Sequence, residues 1–88
     1  MSKTKDRLTD NDIQSVIVKE EYTKMGSKTC VGCFTLANGF EIVTSSSCVN
    51  PENFDLELGK KYCRQHAINK IWELEGYRLQ QRRHENNE

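Results

Sequence analysis

The sequence lacks the features that mark membrane proteins, secreted proteins and strongly basic nucleic-acid-binding proteins. No stretch approaches the roughly 18 consecutive apolar residues of a membrane span, and the polar first residues lack the apolar segment of a signal peptide. The 13 lysines and arginines are balanced by 13 acidic residues, so the formal net charge is zero. Without excess positive charge, phosphate neutralisation is not expected to be the protein's main task. We therefore expect a cytoplasmic protein that makes no membrane contact.

The chain also has too few residues for a large core. Its 88 residues suit one domain, and a chain of this length buries only about 60 to 65% of the surface that it exposes when unfolded. Hydrophobic residues make up 35% and charged residues 30%, as in a small, well-solvated globular domain. We expect a single domain over residues 1–88, with frayed ends at residues 1–8 and 80–88.

Two interpretations compete for the chain before the first glycine. Thr9 is a favourable N-cap, and the acidic residues after it suit the positive end of a helix. A short apolar face follows, but the β-branched residues 16–18 lose rotamer freedom in a helix. We expect a short helix that ends near Val18 and then a strand over residues 19–25. A continuous helix over residues 9–25 is the alternative, because apolar residues continue at helical spacing.

The strongest local signal is a β-hairpin. Residues 29–36 and 40–45 are strand-like runs, and the tripeptide between them contains Asn38-Gly39. Asn-Gly is preferred where both central residues of a turn have positive φ, which predicts a type I′ hairpin. Together with residues 19–25, these runs predict a small antiparallel meander of two to three strands.

The turn sets the expected faces of the sheet. A two-residue turn places Leu36 opposite Glu41. It also places Phe34 opposite Val43, so Leu36, Phe34 and Val43 are expected on one face. The other face is expected to carry Val31, Cys33, Phe40 and Ile42. Both faces are then partly apolar, so we expect the long helix to cover one, and the N-terminal helix or a second subunit to cover the other.

The longest helical segment is predicted from Asn50 to Tyr77. Asn50 suits an N-cap and Pro51 suits the first helical position, with a small kink expected after a first turn at residues 51–54. Small and apolar residues recur at helical spacing and form an inward stripe of Cys63, Ala67, Ile71 and Leu74. Gly76 is expected to weaken or bend the helix. The predicted fold is therefore α+β, with a short N-terminal helix, a small antiparallel β-meander and a long C-terminal helix packed across it.

An ordered motif extends over the hairpin and the long helix. Its parts are Asn38-Gly39-Phe40, Cys48-Val49-Asn50-Pro51-Glu52-Asn53-Phe54-Asp55, Gly59, Ala67, Ile71-Trp72 and Glu75-Gly76-Tyr77. With this motif the chain resembles, over about residues 12–79, a family of small proteins of tailed bacteriophages and prophages. The resemblance implies a phage-encoded protein that acts in the cytoplasm of the host bacterium, and it implies no particular activity, catalytic residue or cofactor. Cys63 departs from the family pattern, which leads us to expect a small residue such as alanine there, and this departure favours a packing role for the thiol.

Two ligand pairs suggest a metal site. Cys30-x-x-Cys33 and Cys63-x-x-His66 have residue types and spacings that suit zinc, and cytoplasmic cysteines are expected to be reduced. However, strand residues three apart point to opposite faces. The 29 residues between the pairs also exceed the roughly 15 to 20 of a zinc ribbon. A zinc-stabilised domain is therefore a less favoured hypothesis, and buried cysteines that act as small hydrophobes are preferred.

Nucleic-acid binding is the second hypothesis. Basic residues make the long helix locally positive: Lys60, Lys61, Arg64, Lys70, Arg78, Arg82 and Arg83. Acidic residues interleave with them, and a charged helix surface is usually only solvated.

Protein binding is the preferred hypothesis. A hairpin with two apolar faces and one long helix leaves more hydrophobic surface than so short a chain can cover. Trp72, Tyr77 and Phe40 are the expected interface residues, although Trp72 and Tyr77 could instead close the end of the core. The expected partner is a host protein, either a host factor or a defence component, or a second copy in a homodimer. No motif places the serines of residues 45–47 in contact with His66, so we predict neither enzymatic activity nor a cofactor.

Overall fold

In the computed structural model, which describes residues 8–86, a three-stranded antiparallel sheet carries two helices. The elements are α1 (Asp10–Gln14), β1 (Ile17–Met25), β2 (Thr29–Leu36), β3 (Glu41–Ser47), a 3-10 turn (Pro51–Asn53) and α2 (Leu56–Glu85). The strand order is β1-β2-β3. This arrangement confirms the predicted α+β fold with its meander and long C-terminal helix. Of the ends expected to fray, 1–8 and 80–88, residues 1–7 and 87–88 lie outside the described residues. Leu8 packs against the core, and α2 extends beyond the predicted end at Tyr77 to Glu85.

The first helix and the first strand separate earlier than predicted. The Thr9 hydroxyl accepts a hydrogen bond from the Asp12 amide at 3.2 Å, and the Thr9 amide donates to the Asp12 carboxylate at 2.9 Å, a reciprocal capping box. The helix ends at Gln14 rather than near Val18. The strand predicted over residues 19–25 is confirmed and begins earlier, so the continuous helix is wrong. The β-branched residues join the sheet instead, where the Ala37 amide donates to the Val16 carbonyl at 2.9 Å.

The predicted hairpin is confirmed, but its predicted register was wrong by one residue. Phe34 pairs with Ile42, not with Val43, because the loop contains three residues rather than two. The Leu36 amide donates to the Phe40 carbonyl, and the Gly39 amide donates to the Leu36 carbonyl, each at 2.8 Å. Gly39 has φ of 93°, which suits the left-handed position of a three-residue loop. A shift of one residue exchanges the faces of a strand, so Ile42 points into the core and Val43 points away from it.

The core lies on one face of the sheet only. Alternate residues of β2 are buried, and the buried cluster consists of Ile13, Cys30, Phe34, Leu36, Ile42, Cys63, Ala67, Ile68 and Ile71. Ile13 belongs to this cluster and α1 packs against α2, so α1 lies on the same side as the long helix. The prediction that the N-terminal helix covers the second face was therefore wrong. On that outer face Val43 is 66% exposed, and none of the described elements covers it.

The long helix begins with two separate caps, which confirms the predicted kink. The Asn50 side chain caps the 3-10 turn by accepting from the Glu52 amide at 3.0 Å. The Asp55 carboxylate then caps α2 by accepting from the Glu57 and Leu58 amides. Within residues 8–86 no helix has the length and apolarity of a membrane span.

The helix is longer than the sheet that it crosses. Its 30 residues correspond to a length of about 45 Å. The strands have only seven to nine residues and reach about 25 to 30 Å. Its buried residues end at Ile71, and α2 continues through Gly76 to Glu85 without a break. Leu74, predicted to point inward, is 38% exposed because it lies beyond the buried part of the helix.

Two glycines allow α2 to lie directly against β2. A Cβ atom on Gly59 of the helix would lie 2.8 Å from the Cβ atom of Cys30. A Cβ atom on Gly32 of the strand would lie 2.8 Å from the Phe34 ring and 3.2 Å from the Cβ atom of Cys63. Each glycine therefore faces a buried cysteine of the opposite element, and the two elements approach too closely for any larger residue at either glycine.

We expect Gly59→Ala to lower the free energy of unfolding by about 1 to 3 kcal/mol, because the added methyl group overlaps a buried side chain that has no room to move. Urea denaturation followed by circular dichroism measures the change.

Gly76→Ala is the matched control in the same helix. A Cβ atom at Gly76 meets nothing within 4 Å, so alanine should raise the free energy of unfolding by about 0.5 to 1 kcal/mol through its higher helix propensity. Equal stabilisation by both substitutions would contradict the close contact at Gly59.

Candidate functional site

A concave surface lies where the hairpin loop meets the overhanging part of α2. We call it the hairpin groove. It has a volume of about 210 Å³ and is lined by Leu36, Asn38, Phe40, Leu74, Glu75 and Arg78. A second concavity of about 400 Å³ adjoins it and is lined also by Val16 and Ala37. The three-residue loop places Phe40 here, and the excess length of α2 supplies the opposite wall.

The groove has an apolar centre and a charged rim. Phe40 is 55% exposed and Leu74 is 38% exposed, while Leu36 is buried. At the rim, the Arg78 guanidinium pairs with the Glu75 carboxylate at 3.1 Å. An apolar centre surrounded by polar groups is the usual arrangement of a protein-binding patch.

The structure brings together only part of the predicted interface. Tyr77 is 73% exposed and lines a neighbouring concavity with Arg78, Gln81, Arg82 and Glu85. Trp72 is 37% exposed, but it lies five residues before Tyr77, about 140° away around the helix axis. Phe40 therefore lines the groove, Tyr77 lines the adjoining concavity that shares Arg78 with it, and Trp72 lines neither.

Leu74 was expected in the core rather than at a binding surface. Its spacing from Ile71 and Ala67 placed it in the inward stripe, and helix periodicity alone does not show where a sheet ends. The signal that could have revealed it is length, since a strand of seven or eight residues cannot cover a helix of this size.

The four residues of the predicted zinc site are not brought together. Cys30 and Cys63 are fully buried. The Cys33 side chain lies on the opposite face of β2 from Cys30, and His66 is exposed on α2. Among residues 8–86 no group of three or more histidine, cysteine or acidic side chains has the arrangement of a metal site.

Cys30 of β2 and Cys63 of α2 instead form a contact between the strand and the helix within the core. The Cys63 thiol donates to the Cys30 carbonyl at 3.4 Å. Burial, together with the neighbouring Cys63 thiol, raises the pKa of Cys30. A raised pKa leaves the thiol protonated and weakly reactive, as expected for a small packing residue.

The predicted basic surface is largely neutralised by carboxylates. Four of its seven residues form ion pairs: Lys60 with Glu57, Arg64 with Glu20, Lys70 with Glu73, and Arg78 with Glu75. Lys61, Arg82 and Arg83 complete the predicted set, and Arg83 also has an interaction partner. Paired cations distributed along a helix do not make the continuous positive stripe that tracks a phosphate backbone, so nucleic-acid binding is not favoured.

A polar network that the sequence did not reveal links α1, β1 and α2. Glu20 accepts a hydrogen bond from the Tyr22 hydroxyl at 2.6 Å and from the Arg64 guanidinium at 2.9 Å. The same guanidinium donates to the Gln14 side chain at 3.2 Å. Burial raises the pKa of Glu20, but the bonds from Tyr22 and Arg64 outweigh it and hold this pKa below its ordinary value. Burial and the Glu20 carboxylate raise the pKa of Tyr22.

A protein-family model matches most of the chain. Its description is Phage protein (N4 Gp49/phage Sf6 gene 66) family, and it covers residues 8–83. No curated protein and no solved structure matches the sequence. The hairpin groove and the Glu20 network both lie within the matched residues, and the expected membership of a phage protein family is confirmed.

The lowered pKa of Glu20 predicts an acid-sensitive contribution to stability. The folded-state pKa lies below the ordinary value of 4.5, so the contribution is present above that pH and is lost as the pH falls through the folded-state pKa. Glu20→Gln should therefore cost about 0.5 to 1 kcal/mol at pH 7 and nothing in strong acid. Urea denaturation at both pH values measures this difference.

Glu73→Gln is the control for Glu20→Gln. Its ion pair with Lys70 is longer, at 3.5 Å, and both side chains are more than half exposed, so we expect no measurable change at either pH. A pH-independent effect of Glu20→Gln would show that the charge of Glu20 is irrelevant.

Proposed function

The chain belongs to the phage protein (N4 Gp49/phage Sf6 gene 66) family, and we propose that it is a phage-encoded accessory protein that binds a protein in the host cytoplasm. The partner would be a host factor or a defence component. The proposed activity is binding rather than catalysis. The observation that carries it is the hairpin groove, where an exposed aromatic side chain and an exposed leucine meet on two packed elements.

The groove has the physical properties of a binding surface. Phe40 follows a short loop closed by two backbone hydrogen bonds, and Leu74 projects from a continuous helix. Both anchors are therefore held by ordered backbone, which lowers the entropy cost of binding. Tyr77 extends the surface with a ring and a hydroxyl, and tyrosine is among the residues that contribute most to interfaces.

The overhang of α2 supports the same proposal. After Ile71 no described residue of the helix is fully buried. An isolated helix as short as residues 72–85 is only marginally stable in water when it lacks tertiary contacts. A partner seated on the groove and on the adjoining concavity would cover Leu74 and Tyr77 and stabilise this segment.

The test is affinity capture of the tagged protein from infected-cell extract, with and without nuclease. A protein partner should co-purify under both conditions. The double variant Phe40→Ala, Tyr77→Ala should lower its recovery by about tenfold or more, since truncation of two interface aromatics usually costs at least that much affinity.

Met25→Ala is the matched control, because Met25 is 60% exposed and lies at the opposite end of β1 and β2 from the hairpin loop. It should leave recovery unchanged. A partner that nuclease removes would support the nucleic-acid alternative instead. Recovery that is insensitive to the double variant would exclude the groove as the binding surface.

A further inference from the structure

The two edges of the sheet differ in how they are protected against pairing with another strand. On β1 the charged residues are Lys19, Glu20, Glu21 and Lys24. The pairing of β1 with β2 is also irregular between Ile17 and Lys19. Charged side chains and irregular pairing are devices that prevent a sheet edge from adding a further strand.

The other edge, β3, has almost none of these devices. Its sequence is Glu41-Ile42-Val43-Thr44-Ser45-Ser46-Ser47. It contains no proline, its only charge lies at the first position, and its pairing with β2 is regular throughout. β3 therefore presents an unprotected row of backbone groups.

The hydrogen-bond pattern shows which backbone groups point outward. The Phe40 carbonyl accepts from the Leu36 amide at 2.8 Å, and the Cys48 amide donates to the Lys28 carbonyl at 3.0 Å. Both residues therefore direct their backbone groups toward β2. Along an antiparallel strand, residues alternate between those that bond to the neighbouring strand and those that do not. The even-numbered residues between Phe40 and Cys48 therefore also bond to β2. The amides and carbonyls of Val43 and Ser45 consequently face the open edge.

Exposed apolar side chains border this edge on both faces of the sheet. Val43 is 66% exposed on the outer face. On the helix side, Leu58 is 44% exposed and Tyr62 is 48% exposed. These two line a cleft of about 80 Å³ that also includes Ser46 and Ser47.

We propose that β3 pairs with β3 of a second copy, antiparallel and about a two-fold axis at Thr44, to form a six-stranded sheet. This register aligns the whole of both strands, with Val43 of one copy opposite Ser45 of the other. Glu41 lies opposite Ser47, so the two carboxylates are at opposite ends of the ladder. The edge is thus self-complementary in charge, as an isologous dimer interface requires.

The dimer would also cover the apolar border. α2 packs on β3 as well as on β2, and neighbouring strands lie about 4.8 Å apart. The two long helices would therefore lie side by side on one face, with Leu58 and Tyr62 of each copy between them. The pairing is independent of the proposed groove, which neither Val43 nor Ser45 lines.

Sedimentation of the full chain tests the proposal. The monomer has a mass of 10.2 kDa, and the wild type should sediment at twice that mass. Ser45→Pro should sediment as a monomer, because proline removes an amide that faces the edge while every bond to β2 is kept. Ser45→Ala keeps the amide and should remain a dimer. Circular dichroism and Trp72 fluorescence should show the same fold for all three proteins.

Val43→Lys provides a second variant in case Ser45→Pro does not fold. Two lysines near the two-fold axis repel each other and act as edge-protecting charges, so dimer affinity should fall by about tenfold or more. A wild-type protein that stays monomeric at high micromolar concentration would overturn the proposal. A dimer that both Ser45→Pro and Val43→Lys leave intact would overturn it as well.

Discussion

The close contact between α2 and β2 is the constraint on which the remaining structure depends. Gly59 faces Cys30 and Gly32 faces Cys63, at distances that leave no room for another side chain. The Thr44 hydroxyl adds a hydrogen bond to the Cys63 carbonyl at 2.9 Å. These contacts place the helix over β2 and β3, and the larger core residues fill the space on either side. A small domain gains from such an approach because it has few large apolar side chains with which to exclude water.

The position of α2 determines which surfaces of the sheet remain uncovered. The core occupies one face, and α1 is held beside α2 by Ile13 and by the Glu20 network. The charges of that network lie on the β1 side, where Arg64 reaches from the helix to the first strand. The β3 side has no comparable charged network among residues 8–86. It carries short uncharged side chains and exposed apolar ones, which is why both proposed interaction surfaces, the hairpin groove and the β3 edge, border β3.

The two surfaces suit different partners for physical reasons. The hairpin groove is concave, with an aromatic anchor and an ion pair at its rim, and such a site selects a partner by shape and side-chain chemistry. The β3 edge offers mainly backbone groups, whose pairing needs a strand without charges in the matching register. Of the two edge strands of the described chain, β3 comes closer to this condition, because its single charge, Glu41, lies opposite Ser47 in the proposed register. Membership of a phage protein family is consistent with either surface, and the two experiments are independent.

Local chemistry in the sequence determined the elements and their caps. Thr9, Asn50-Pro51 and the Asn-Gly pair each act through bonds within a few residues of themselves, so their effects follow from the local sequence. The hairpin register was decided by the loop length, because two- and three-residue loops with Asn-Gly fit the same residues and differ by one position in pairing. The position of α1 and the exposure of Leu74 were decided only by tertiary packing. Each depends on where α2 crosses the sheet and on where the sheet ends. The helical periodicity of one chain segment gives neither of these positions.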